Sequence, residues 1–455
     1  MEVVPIPVPS LGNRAHLVHD GQVGIVIDPP RDVRWAEEAA ERAGVDLVAV
    51  ADTHIHNDYV SGALTLARRH GADYLLSADE PVRFERLGVR APDVLGYGRL
   101  RIQVLDTPGH TRHHQSFLLT PAPGTAAPGA PPAALLSGGS MLLGTVGRTD
   151  LVDPRLAAHL AAAQWRSVRA QAALDPRTLL LPTHGFGSFC SSRPVTPAEA
   201  DDGTLPTLGD QRDHPALHLD KETFVTDLLA GLGPIPTYYQ HMDPANRAGA
   251  GSPAPARRVT AEQVADAVLS GSWVVDLRRS EAFAAGHLPG SVNIGYSDQF
   301  ATYVGWLVPW GDDIVLLTDS PDLLAPALRD LARIGIDGVG AHVVPDAAPL
   351  TATLRRADWA EYRRVSQERE PIVVDVRQAD EYAAAHLPGA VHLPVQDVER
   401  AAATLPAGEI WVHCRSGYRA GIAASLLHRM GRDVVHIDDA WEHAERLRLP
   451  GTAAA

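Results

Sequence analysis

The sequence predicts an α/β chain of several domains, and three observations carry that expectation. Short apolar runs with strand character end repeatedly in histidine-bearing loops over roughly the first 250 residues. A Gly/Ala/Pro-rich stretch, Ala248 to Arg258, then breaks the pattern as a linker does. Beyond it the chain repeats itself, with strands alternating with helical patterns in each copy. At 455 residues the chain has room for about three domains.

The first run, Leu47-Val48-Ala49-Val50-Ala51, leads into Thr53-His54-Ile55-His56-Asn57-Asp58-Tyr59. Alternate residues of an extended segment point the same way, so His54, His56 and Asp58 converge. Imidazole with carboxylate is ligand chemistry for zinc or non-haem iron. Tyr59 stands where one more histidine would complete a second metal site, and Ser61-Gly62 marks a helix entry. The Arg101 to Leu105 strand ends in Asp106-Thr107-Pro108-Gly109-His110-Thr111, whose Pro-Gly turn aims His110 outward. A third strand, Thr178 to Leu181, ends in Pro182-Thr183-His184-Gly185. Surface histidines scattered among the 21 in the chain would not recur at strand ends. Residues 121 to 134 read as a surface loop, and the stretch near Phe224 to Met242 is amphipathic.

In the repeat, Trp273-Val274-Val275-Asp276-Leu277-Arg278 is followed by Glu281, Phe283 and His287-Leu288-Pro289-Gly290. Ile372-Val373-Val374-Asp375-Val376-Arg377 is followed by Glu381, Tyr382 and His386-Leu387-Pro388-Gly389, with the same spacing from the aspartate to the His-Leu-Pro-Gly segment in both copies. In the second copy the strand Ile410 to His413 runs into Cys414-Arg415-Ser416-Gly417-Tyr418-Arg419, and Ala420 to Met430 continues as a helix. A thiol at a helix start meets inward-pointing N–H groups and the positive end of the dipole, which favours the thiolate. Arg415 and Arg419 add positive charge for an anionic sulfur donor. The first copy has Ile314 to Thr318 in the same place, with no cysteine, and Asp319 and Asp322 would repel such donors. Residues 259 to 345 are therefore expected to pack or dock.

Composition narrows the remaining function classes. No apolar run approaches the ~18 residues of a membrane span, and Met1-Glu2-Val3-Val4-Pro5 has no basic region followed by an apolar stretch, so a cytoplasmic protein is expected. Cys190 and Cys414 are too few for a disulfide framework. A formal net charge of -15 argues against nucleic acid as a partner.

The six-residue loop from Cys414 to Arg419, shorter than that of cysteine phosphatases, resembles the loop of rhodanese sulfurtransferases over roughly residues 355 to 450. THIHNDY, TPGHT, VGRTD and PTHGFGSFC in residues 1 to 250 look like the metallo-β-lactamase fold, in its persulfide dioxygenase branch. The whole chain resembles the persulfide dioxygenase-sulfurtransferase fusions of bacterial sulfide detoxification. That resemblance implies an N-terminal αββα metallo-β-lactamase sandwich (1-250), an inactive rhodanese-like domain (259-345) and an active one (355-455), the last two parallel α/β domains.

It further implies oxidation of a low-molecular-weight thiol persulfide by O2 to sulfite at one Fe(II), zinc being the alternative metal. Sulfur transfer that can yield thiosulfate would follow, and a homo-oligomer is compatible with this reading. By motif, His54 and His110 match iron ligands, Arg148 a substrate-site arginine, and Cys190 a substrate-site thiol. Cys414 matches the persulfide-carrying nucleophile, with Arg415, Ser416, Gly417, Tyr418 and Arg419 binding the transferred sulfur. The family's metal-ligating aspartate falls at Gly139. His56 would then complete a three-histidine set, with Asp58, Asp150 and His184 as further candidates. Two other readings follow from the same residues. One is a zinc-dependent thioester hydrolase of this fold; the other is a non-catalytic N-terminal docking domain carrying an active rhodanese.

Overall fold

A computed structural model describes residues 1–125, 129, 131–192, 205–344 and 350–452. Residues 126–128 and 130 of the expected surface loop, and the domain limits expected at 345 and 455, lie outside them. The chain divides into two compact units, Met1–Pro253 with Arg329–Ile336, and Ala254–Leu328 with Asp337–Ala455.

The first unit is built on two sheets. One holds β1 (Glu2–Val8), β2 (Asn13–His19), β3 (Val23–Ile27), β4 (Asp46–Ala51), β5 (Asp73–Ser77) and β6 (Leu87–Val89) in chain order. Its first two pairings are antiparallel and the rest parallel. The other holds β7 (Val94–Tyr97), β8 (Leu100–Asp106), β9 (Gln115–Pro121), β10 (Ala134–Gly138) and β11 (Leu179–Pro182), with β10 and β11 parallel. Ile25, Ala49 and Leu75 of the first sheet share one buried core with Ile102, Phe117 and Leu136 of the second. Each of these Ile, Leu and Phe side chains contributes about 1.5–3 kcal/mol on burial.

The outer faces are covered by helices. Arg34–Ala43 and Ala63–His70 pack on the first sheet through Ala36, Ala40 and Leu66. Ala157–Ala172 and Lys221–Ala230 cover the second through Ala161, Val168, Phe224 and Leu228. A strand buried on both faces reads as an unbroken apolar run, which is why Asp46–Ala51 and Ala134–Gly138 lack clean alternation. The amphipathic stretch near Phe224 to Met242 resolves into two helices, Lys221–Ala230 and Tyr239–Ala248. Gly231, Pro234 and Pro236 break it, because proline cannot donate to the helix ladder.

The second unit holds two parallel five-stranded sheets of the same topology. The first contains β12 (Arg257–Arg258), β13 (Trp273–Asp276), β14 (Val292–Asn293), β15 (Ile314–Thr318) and β16 (Gly340–Val343), ordered β12-β16-β15-β13-β14. The second contains β17 (Arg355–Ala357), β18 (Ile372–Asp375), β19 (Val391–His392), β20 (Ile410–His413) and β21 (Val434–Ile437), ordered β17-β21-β20-β18-β19. The sequence repeat extends to individual hydrogen bonds. Arg278 Nη2 donates to Asp276 Oδ2 at 2.6 Å, and Arg377 Nη2 to Asp375 Oδ2 at 2.6 Å. His287 and His386 each place Nδ1 2.9 Å from the carbonyl oxygen four residues back.

Candidate metal centre and sulfur-transfer loop

Three strand ends deliver histidines to one buried place. His54 and His56 follow β4, His110 follows β8 and His184 follows β11, and all four are fully buried. The ring centroids of His54 and His56 are 4.2 Å apart, those of His54 and His110 4.8 Å, and those of His110 and His184 5.2 Å.

The surrounding hydrogen bonds assign which nitrogen of each ring carries the proton. Thr53 Oγ1 donates to Asp28 Oδ2 (2.8 Å), so it accepts from His54 Nδ1 (2.9 Å). His110 Nδ1 donates to the Arg148 carbonyl (2.7 Å). His184 Nδ1 donates to Asn13 Oδ1 (2.9 Å), while Asn13 Nδ2 donates to Asp58 Oδ2 (2.7 Å). His56 Nε2 donates towards the Tyr59 hydroxyl (2.9 Å) and Asp28 Oδ1 (3.2 Å).

What remains is a set of lone pairs facing inward: Nε2 of His54, His110 and His184, and Nδ1 of His56. His110 Nε2, His56 Nδ1 and Asp58 Oδ1 are buried with no hydrogen-bond partner. His54 Nε2 and His184 Nε2 face each other at 3.3 Å with both protons on the far nitrogens. Such a contact is repulsive unless a cation lies between, and support of each ring by an oxygen on its far side is the usual second layer of a metal site. The residues therefore fit a divalent metal.

Protonation agrees with that fit. Burial, then the neighbouring imidazoles, hold His54 well below its ordinary value, and burial pushes His110 down to about 3. Both are neutral, the form that ligates. For His56 burial works downward but Asp28 and Asp52 outweigh it, raising it to about 10. A bound cation would displace the extra proton. Burial and Asp58 push the Cys190 thiol well up.

Not every expected residue joins the cluster. Asp150 is committed to Arg148, whose Nε and Nη2 reach its two oxygens at 2.8 and 2.9 Å. It is absent from the convergent donor sets among the described residues, and Arg148 spends its charge on this pair and on the Gly233 carbonyl. Tyr59 is wholly buried and donates to the Asp28 carbonyl at 3.0 Å, so it braces the loop. Gly139 is explained by packing. A Cβ there would fall 2.7 Å from His110 Cγ and Nε2, and one at Gly147 would fall 2.6 Å from His110 Nδ1. The imidazole of His110 fills the space between two glycines.

The supporting set Asn13, Asp28, Thr53, His114 and Thr183 was not singled out in the sequence. A signal existed for Asp28, a lone carboxylate at the end of the apolar strand Val23–Ile27. It accepts from the Thr53 amide at 2.7 Å and from Thr183 Oγ1. His114 Nε2 accepts from the Gly139 amide at 3.0 Å.

In the second unit Cys414 is fully buried at the end of β20, and the helix Tyr418–Arg429 begins four residues later. It starts two residues earlier than the sequence suggests, so its unpaired first-turn amides lie in the loop itself. Gly417 sits at φ 89°, in the left-handed region, and a Cβ would press against Asp438 Cα at 3.3 Å. Arg419 makes a bidentate pair with Glu381 at 2.5 and 2.8 Å. Arg415 is exposed and lies 3.4 Å from Glu442. The cysteine-free repeat packs on this loop: the Tyr418 hydroxyl donates to the Gly295 carbonyl at 2.8 Å, and the rings of Tyr303 and Tyr418 are 5.9 Å apart. In that repeat the position of Cys414 is taken by Thr318, whose Oγ1 bonds Ser320.

Comparison with known proteins agrees with both halves. The rhodanese-like domain family matches residues 260–340 and 358–445. A hydroxyacylglutathione hydrolase of Acidiphilium cryptum is 36% identical over 182 residues, 39% of this chain and 67% of that protein. One of Albidiferax ferrireducens is 31% identical over 117 residues, 26% of this chain and 45% of that protein. This chain thus spans about two thirds of the first relative and under half of the second. A solved metallo-β-lactamase from Staphylococcus aureus subsp. aureus COL is 26% identical with a TM-score of 0.64, covering 75% of this chain and 98% of that one. Among the described residues no helix is long and apolar enough to cross a membrane. The chain belongs to the metallo-β-lactamase-fold family, as a fusion of that domain with C-terminal rhodanese-like domains.

Proposed function

We propose that the protein is a sulfurtransferase whose metal domain oxidises a low-molecular-weight thiol persulfide, with one iron per chain, in sulfide detoxification. The observation that carries the transfer half is Cys414, buried at a strand end and facing the first turn of a helix. The Cys414 thiolate attacks the outer sulfur of a donor persulfide. The Cys414–sulfur bond forms, the donor S–S bond breaks, and the donor thiolate leaves and takes a proton. An acceptor such as sulfite then removes the outer sulfur as thiosulfate and restores the thiolate. Loop amides and the helix dipole stabilise the anion throughout.

Glu381 holds Arg419 at the loop, and the buried Tyr303 ring lies 5.9 Å from the half-buried Tyr418 ring. In the metal domain His54, His56 and His184, whose donor atoms converge, together with His110, which converges with His184, would hold the cation, and Asp28 orients His56. Iron bound there supplies the O2 chemistry that no side chain provides. The test loads the full chain with iron anaerobically and follows O2 consumption with glutathione persulfide. Oxidation is expected to vanish in His110→Ala and persist in Cys414→Ser, with sulfur transfer showing the reverse. Iron-loaded protein that consumes no O2 refutes the oxidative half; transfer by Cys414→Ser refutes the other.

A second reading, zinc-dependent thioester hydrolysis, is favoured by the name of the 36% identical relative. Thioester turnover by zinc-loaded protein would establish it. Against it, Tyr59 and Gly139 offer no ligand at two positions a two-metal centre needs.

A further inference from the structure

The four histidines are neutral ligands, and the position expected to bring a negative charge is Gly139. We propose that Cys190 Sγ is the anionic ligand of this centre, bound to the same metal as His110 and His184. The inference rests on the reading that the histidines hold a metal and names the residue that neutralises it.

Three independent features place the sulfur there. One donor atom from each of His110, His184 and Cys190 lies within 4.8 Å of the others, and all three residues are fully buried. Of this set, His110 Nε2 is a buried nitrogen with no partner, aimed into the shared space. The main chain also ties the two ligands together: the Arg148 amide donates to the Cys190 carbonyl at 2.8 Å, and His110 Nδ1 donates to the Arg148 carbonyl at 2.7 Å. One residue therefore fixes the spacing of sulfur and imidazole. The Cys190 amide donates to Ser188 Oγ at 3.1 Å, so both main-chain groups of the cysteine are held.

Among the carboxylates, Asp28 and Asp52 converge with His56, but on its Nε2 and not on the Nδ1 that faces the centre. Asp150 is paired with Arg148. Asp58 keeps one oxygen on Asn13 and falls in none of the convergent sets among the described residues. On binding, the Sγ–H bond breaks, its proton leaves to solvent and a sulfur–metal bond forms. A doubly charged cation with neutral imidazoles and one thiolate is left with a single net positive charge. That charge suits an anionic persulfide. Sulfur also moves the site towards the softer metals, zinc and ferrous iron, and away from magnesium or calcium.

The test uses the full chain with Cys414→Ser, which removes the other thiol. Zinc-loaded protein is measured by X-ray absorption, and cobalt-loaded protein by its near-ultraviolet thiolate-to-metal band. A sulfur neighbour at about 2.3 Å and the charge-transfer band are expected, both lost on adding Cys190→Ser. Zinc affinity should fall in that variant by more than the roughly 10–100-fold that loss of a supporting residue costs. Protein with Cys190 intact that binds metal with only nitrogen and oxygen neighbours overturns the proposal and leaves the metal centre standing. Protein that binds no metal overturns both. The decisive spectrum is taken with Cys190 present, so a folding defect in the variant does not blur the outcome.

Discussion

Adding a single methyl group at position 139 tests whether His110 is held by shape. The Cβ of Gly139→Ala would lie 2.7 Å from two atoms of the His110 ring, inside van der Waals contact, while Gly147 blocks retreat on the other side. The ring must move, and its only described anchor is the 2.7 Å bond from Nδ1 to the Arg148 carbonyl. Overpacking a dense core costs about 1–3 kcal/mol, and leaving that buried carbonyl unpaired adds about 1–3 kcal/mol. The expected loss is therefore about 2–6 kcal/mol in the first unit, with weakened metal binding. Gly139→Asp should behave the same way, despite carrying the carboxylate that the resemblance expects. Denaturant unfolding followed by hydrogen exchange in residues of the first unit, with metal analysis of the same samples, measures both. Gly139→Ala within about 0.5 kcal/mol of the parent with full metal occupancy would show that the ring is not wedged.

Two further outcomes follow from the same contacts. Tyr59→Phe removes the hydroxyl that bonds His56 Nε2 and the Asp28 carbonyl, so unfolding of the first unit should cost about 1–3 kcal/mol less with metal stoichiometry unchanged. Loss of metal with no loss of stability would instead make Tyr59 part of the centre. For Glu381, burial acts to raise the carboxyl, but the Arg419 pair outweighs it and holds it below its ordinary 4.5. A lowered carboxylate stabilises the fold above that ordinary value and loses the effect as pH falls through the folded one. Thermal melts of the second unit should therefore drop on acidification below 4.5, with a shallower slope in Glu381→Gln. Identical slopes would remove this pair from the acid response.

Much of the architecture is legible because it is local. The apolar run before His54, the Pro-Gly turn before His110 and the spacing from Asp375 to His386 are each properties of one short segment. A repeat is visible because both copies must solve the same packing problem, down to the Asp276–Arg278 and Asp375–Arg377 pairs. The supporting residues of the centre were hidden for the opposite reason. Asn13 reaches His184 across 171 positions of sequence, and Thr183 reaches Asp28 across 155. No periodicity encodes such a contact.

The sequence by itself determined the domain order, the four strand-end histidines and the strand-to-helix loop that carries Cys414, because strand ends, turns and helix starts are set by nearby residues. Only the tertiary structure decided which nitrogen of each ring faces inward, that Asp150 belongs to Arg148, and that Cys190 stands beside His110. Those outcomes depend on which buried polar groups find partners once distant segments meet. The same packing explains Gly139: in one dimension it is a missing carboxylate, and in the fold it is the space that the His110 ring fills.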